Sequence, residues 1–104
     1  MNRFIELDDC VIDAGYVRGM AKYDEYYDIV VDGQTLTVRA GEKTDKFYNM
    51  LKNGGNSVGF HRFGDSLIRL SDISGVSIYP GGASIYTYEG EYKYDDSDVV
   101  RLFE

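Results

Sequence analysis

The sequence predicts an α+β domain, predominantly antiparallel β-sheet with two short helices. Three observations carry this. Short β-branched and aromatic runs recur along the chain, separated by Asp-Gly, Glu-Gly and Pro-Gly turns. One segment has an apolar stripe of helical period, and an acidic tripeptide near the C-terminus signals a second helix. The two halves also repeat a similar order of elements, so a tandem β-β-β-β-α arrangement is expected within one domain, residues 1–104, its halves about 4–53 and 57–104.

Phe4-Ile5-Glu6-Leu7 and Cys10-Val11-Ile12 read as short strands around Asp8-Asp9, and Tyr16 to Tyr23 as a third. Tyr26 to Val31 and Gln34 to Arg39 flank Asp32-Gly33, a strong hairpin signal, because a type I′ turn needs positive φ at both central residues. A two-residue loop sets Val31 opposite Gln34, Ile29 opposite Leu36 and Tyr27 opposite Val38. Tyr27, Ile29, Val31, Leu36 and Val38 then form a core face, and Tyr26, Asp28, Val30, Thr35, Thr37 and Arg39 a polar one. Glu42 to Lys52 is a helix with Phe47, Met50 and Leu51 on its apolar stripe, stopped by Asn53-Gly54-Gly55.

Ser57 to Phe63 begins the second half as a strand, broken at Gly64-Asp65. Leu67 to Leu70 and Gly75 to Tyr79 follow, then a Pro80-Gly81-Gly82 turn. Ala83 to Tyr88 and Glu91 to Tyr94 form a hairpin around Glu89-Gly90, with Ile85, Thr87, Tyr92 and Tyr94 on its more apolar face. Asp95-Asp96-Ser97 caps a last helix from Asp98 to Phe103. Asp9-Cys10-Val11-Ile12 parallels Asp65-Ser66-Leu67-Ile68, and Val17-Arg18-Gly19 parallels Ile73-Ser74-Gly75, both fifty-six positions apart. Asp32-Gly33 matches Glu89-Gly90 only after one inserted residue, and on that alignment the core positions of the two hairpins disagree.

With 43% apolar and 28% charged residues the chain buries a core, which excludes global disorder. Eighteen acids against eleven bases give a net charge of −7, which repels phosphate backbones and anionic lipids. The expectation is a basic protein partner, no direct nucleic acid and no membrane. The lone Cys10 excludes an intramolecular disulfide and suits a reducing compartment. Met1 to Glu6 contains no long apolar region, so a cytoplasmic protein without leader or anchor is expected.

No residue set for catalysis stands out, and a non-enzyme without cofactor or metal is expected. His61 is the single histidine and lies in a strand, away from any triad order. Cys10 has no adjacent base or cation to form a thiolate. One cysteine and one histidine cannot complete a usual zinc set, and Asp95 to Asp98 lacks the glycine and glutamate of a calcium loop. Asn53 to Gly59 is glycine-rich but follows a helix, without the Gly-Lys-Ser/Thr of a phosphate loop.

Ten tyrosines and several acid clusters remain. Tyrosine packs in strands, and it also makes hot-spot contacts at interfaces. Tyr86, Tyr88 and Glu91 share the polar face of the second hairpin, followed by Asp95, Asp96 and Asp98. Asp24, Glu25, Tyr26 and Asp28 form a similar group in the first half. These ten residues are the expected partner-binding set, with carboxylates meeting Arg and Lys as phosphates would.

In small size, acidity, tyrosine content and lack of an enzyme motif, the chain resembles small proteins of phages and mobile elements, the anti-CRISPR proteins in particular. That resemblance implies an inhibitor of a basic, nucleic-acid-binding protein, such as a nuclease of a bacterial defence system, acting by mimicking or blocking nucleic acid. Bacterial β-β-β-β-α modules resemble each half equally well. The alternative function is a structural or assembly module of phage or bacterial origin that self-associates as a homo-oligomer.

Overall fold

The computed structural model describes residues 4–94 and divides the chain into two compact units, Met1–Arg69 and Leu70–Glu104. The expected helix from Asp98 to Phe103 and its cap lie outside the described residues. Ten strands and one α-helix form among the described residues, and every strand pairing is antiparallel. The α+β, mainly antiparallel class is therefore observed.

In the first unit, β1 (Phe4–Glu6) and β2 (Val11–Asp13) form a two-stranded sheet closed by a turn in which Leu7 N–H donates to the Cys10 carbonyl at 2.8 Å. Asp13 then caps a 3₁₀ turn at Ala14–Tyr16, its carboxylate accepting from Gly15 N–H. A five-stranded sheet follows, built of β3 (Val17–Lys22), β4 (Tyr26–Val31), β5 (Gln34–Arg39), β6 (Phe60–Phe63) and β7 (Ser66–Arg69) in the order β5-β4-β3-β7-β6. The β4–β5 register is the one the Asp-Gly turn dictates, with Ile29 opposite Leu36 and Tyr27 opposite Val38.

Helix α1 (Glu42–Gly54) packs into the same core as Tyr27, Ile29, Val38, Met20 and Leu67. Its buried stripe is Thr44, Phe47, Tyr48 and Leu51, while Met50 is 49% exposed. Ranking by apolarity alone misplaces this stripe. Tyr48 and Thr44 go inside because each hydroxyl finds a partner, the Asp65 carbonyl at 2.9 Å and the Asp8 carboxylate at 2.8 Å. The helix ends at Gly55, whose φ of 51° suits glycine and whose N–H donates to the Leu51 carbonyl.

The start of α1 is capped from a distance. Its N-cap residue is Gly41, which has no side chain to offer. Asp8, in the β1–β2 turn, accepts instead from Thr44 N–H at 2.9 Å and from Lys43 N–H at 3.5 Å. Thr44 Oγ1 donates to the same carboxylate and receives Asp8 N–H at 3.3 Å. Gly41 is required by this contact, since a Cβ there would sit 2.5 Å from the Asp8 carboxyl.

Two strand expectations change. The segment Ser57 to Phe63 is extended only from Phe60, because Gly55–Val58 is a 3₁₀ turn in which Ser57 Oγ donates to the Gly54 carbonyl at 2.6 Å. The tandem β-β-β-β-α arrangement does not set the sheets either: β6 and β7 join β3 in the first unit's sheet, through Gly19↔Ile68 and Met20↔Leu67.

The second unit holds a 3₁₀ turn at Leu70–Asp72 and a three-stranded sheet of β8 (Ile73–Tyr79), β9 (Gly82–Thr87) and β10 (Gly90–Tyr94), ordered β10-β9-β8. Thr87 pairs with Gly90, so the loop is Tyr88-Glu89 and not Glu89-Gly90. Gly90 has a φ of 144°, and Thr87 Oγ1 bonds its carbonyl at 2.9 Å, which holds the glycine in the strand. The slip is an even number of positions, so the expected faces survive. Ala83 and Ile85 are fully buried, and Tyr92, opposite Ile85, is half-buried.

Asp8 carries the prediction from this geometry. Its hydrogen bonds from Thr44 hold the carboxyl below the ordinary value of 3.8. The folded-state value is depressed, so its contribution is full above that ordinary value and is lost as the pH falls through the lower folded one. Asp8→Asn should lower Tm at pH 7 by roughly 4–8 °C, a helix-cap effect in a domain of this size. In thermal melts from pH 7 to pH 2 the gap to wild type should close only at the acid end. A gap independent of pH would contradict the capping role.

Candidate functional site

Of the residues expected to bind a partner, Asp24, Glu25 and Tyr26 are exposed at the β3–β4 turn. Tyr26 stacks on Tyr23 at 4.7 Å, and the pair borders an open depression of about 760 Å³ with Lys22 and Asp65. Asp28 lies on the polar face of β4, accepting from Thr37 Oγ1 at 2.9 Å. Tyr86, Tyr88 and Glu91 belong to the second unit; Tyr88 is 81% exposed at the hairpin loop, and Glu91 pairs opposite Tyr86, whose hydroxyl accepts from Ser77 Oγ at 3.0 Å. Asp95, Asp96 and Asp98 lie outside the described residues.

His61 sits on β6, its ring edge-on to Phe63 at 6.0 Å. Cys10 is half-buried; burial first, and Asp9 second, push its thiol up, away from a thiolate. Among the described residues no group of His, Cys, Asp or Glu is arranged to hold a metal. No helix among them is long and apolar enough to cross a membrane.

A different surface emerges around Tyr48. The chain has a run of nineteen residues without a single acid, from Lys46 to Gly64. It folds as the C-terminal part of α1, the 3₁₀ turn and β6. Lys46, Lys52 and Arg62 are all exposed, and none makes an ion pair with a described residue. Three other cations of the unit are engaged, Lys43 with Glu6 at 2.7 Å, Arg18 with Asp32 at 3.9 Å, and Arg69 with the Val17 and Ala14 carbonyls, while Arg39 on β5 is exposed like the three above.

Tyr48 lies among several cations. Its hydroxyl donates to the Asp65 carbonyl, fixing α1 to the β6–β7 turn. Lys22 Nζ lies 5.9 Å from its ring centroid. Lys52 is one helical turn further along the same face. Arg62, on edge strand β6 opposite buried Leu67, is close enough to pull the Tyr48 hydroxyl down, against the larger upward push of burial and that of Asp65. Asn49, Asn53 and Ser57 are exposed on the same segment. The result is a cationic rim with amide and hydroxyl groups, suited to phosphate oxygens. The acid-free run was visible in the sequence and was hidden by averaging charge over the whole chain.

No protein-family model matches the chain, and no curated protein does. Among solved structures the chain is similar to a LytTr DNA-binding domain from Bacillus cereus, with a TM-score of 0.62 and 11% identity over 96% of this chain and 90% of that one. Identity this low speaks for the fold. The likeness corrects the functional expectation all the same. The fold is shared with a DNA-binding domain, so the reading as an acidic anti-CRISPR-type inhibitor and nucleic-acid mimic gives way. The exclusion of direct nucleic-acid contact gives way with it, because it rested on net charge alone.

The tie between α1 and the β6–β7 turn is testable. Tyr48→Phe removes one hydrogen bond while the Asp65 carbonyl keeps Lys22 N–H at 3.0 Å. The expected loss is about 1 kcal/mol in urea unfolding. No measurable loss would mean that packing of the ring, which Phe keeps, and not this bond holds the helix there.

Proposed function

We propose that this protein binds DNA through the surface formed by the C-terminal part of α1, the turn at Gly55–Val58 and β6. The observation that carries the reading is the concentration of Lys46, Lys52 and Arg62, none paired with a described acid, in an acid-free segment of a fold shared with a DNA-binding domain. Net charge does not oppose it. At physiological ionic strength charges are screened beyond about 8 Å, so a phosphate on this rim responds to the nearby cations more than to distant carboxylates. The acids elsewhere orient the protein, turning its other faces away from the duplex. The reading assigns the chain no catalytic step and no cofactor.

We also read the two halves as versions of one β-β-turn-β-β-β unit. The hairpin loops Asp32-Gly33 and Tyr88-Glu89 and the 3₁₀ turns at Ala14–Tyr16 and Leu70–Asp72 lie fifty-six positions apart without any insertion. On that spacing Tyr27, Ile29, Val31, Leu36 and Val38 correspond to Ala83, Ile85, Thr87, Tyr92 and Tyr94, the apolar face of the second hairpin.

The experiment is fluorescence anisotropy of a labelled duplex across salt concentrations. Three phosphate contacts give a log–log salt slope of about −2 to −3, with Kd on the order of 10⁻⁴–10⁻⁶ M at physiological salt. Lys52→Ala and Arg62→Ala should each weaken binding several-fold and reduce the slope by about 1. Absence of binding at low salt, or slopes unchanged in both variants, would overturn the proposal.

A further inference from the structure

We propose that the free edge of β8 is a self-association surface, which takes the β8 strand of a second copy of this chain in antiparallel pairing. Strands β3 and β8 are alike. Val17↔Val31, Gly19↔Val30 and Met20↔Ile29 in the first sheet have counterparts Ile73↔Thr87, Gly75↔Tyr86 and Val76↔Ile85 in the second, each fifty-six positions on. Both strands also break register at the same place, between Val17 and Gly19 and between Ile73 and Gly75. The backbone at this edge is therefore built alike in the two halves.

The edges differ in what covers them. Beyond its bulge β3 pairs with β7, through Gly19↔Ile68, Met20↔Leu67 and Ala21↔Ser66. The corresponding residues Gly75, Val76 and Ser77 pair only with β9 among the described strands. Gly19 must be glycine, because a Cβ there would meet the Leu67 carbonyl oxygen of β7 at 2.9 Å. A Cβ on Gly75 would meet nothing nearer than the Tyr86 ring at 3.9 Å. The second half thus keeps a glycine suited to a neighbouring strand that no described strand supplies.

The chemistry of β8 selects the occupant. Edge strands are usually protected from pairing by charge or proline. The other described edge strands each carry a charged residue: Arg39 on β5, Arg62 on β6, Glu91 and Lys93 on β10, Glu6 on β1 and Asp13 on β2. Ile73–Tyr79 carries none and contains no proline, and Ser74, Ser77, Ile78 and Tyr79 on it are exposed. Two copies with a net charge of −7 each repel over most of their surface. The uncharged run from Ile73 to Tyr88 is where they approach without that penalty. An antiparallel β8–β8 pair is its own complement and closes as a two-fold dimer.

The test is sedimentation equilibrium of the full chain, without DNA, from about 1 to 200 μM, so that its failure and the failure of DNA binding are separate results. Wild type should pass from the 11.8 kDa monomer to twice that mass as concentration rises. Ile78→Lys adds a charge at an exposed edge position, and Gly75→Ala adds a methyl that the isolated strand accommodates and a paired one does not. Each should weaken dimerisation at least ten-fold with the far-UV circular dichroism unchanged; if one variant fails to fold, the other decides. A wild type that stays monomeric throughout overturns the proposal, as does a dimer that persists in the folded variants.

Discussion

The first unit depends on the carboxylate of Asp8. A helix N-terminus presents backbone N–H groups that need acceptors, and α1 begins at a glycine that supplies none. The β1–β2 turn brings Asp8 to those groups, and Thr44, fully buried, completes a reciprocal set of bonds with it. This fixes the rotation of α1 about its axis, so that Phe47, Tyr48 and Leu51 enter the core with Thr44. Tyr48 then reaches Asp65, and Arg62 of β6 comes near its hydroxyl, one helical turn from Lys52. The surface proposed for DNA is carried by the helix that this contact caps.

Much of this architecture is legible in the sequence where the signal is local. Asp32-Gly33 between two β-branched runs sets a register that the β4–β5 ladder follows pair by pair. Gly54-Gly55 stops α1 where a positive φ is needed. What escapes is non-local. The Asp8–Thr44 contact joins residues thirty-six positions apart, and nothing near Gly41 announces it. Tyr48 reads as a polar interruption of the helical stripe until its hydroxyl partner is known, which is why Met50 takes its place on paper. The Tyr88-Glu89 loop was missed for a similar reason: Gly90 looks like a turn residue but serves as the first residue of a strand.

Charge shows the same division between average and position. A net charge of −7 makes nucleic acid look excluded, yet the acids leave one long run free, and the cations in that run make no ion pair with a described residue. Screening limits each charge to its neighbourhood, so arrangement decides more than the sum. The expected partner-binding acids Asp24, Glu25 and Asp28 lie at the β3–β4 turn and on β4, outside the acid-free segment. Lack of charge carries information too, since no described strand pairs with β8 along the edge that its counterpart β3 has filled.

Chemical-shift mapping by ¹⁵N NMR during titration with duplex DNA tests the central claim most directly, because it locates the surface as well as detecting binding. The largest shifts should fall on Lys46 to Gly64, with Lys52 and Arg62 prominent, and should fade as salt is raised. Shifts centred instead on Asp24 to Asp28 or on the second unit, or no shifts with DNA in excess at low salt, would contradict it.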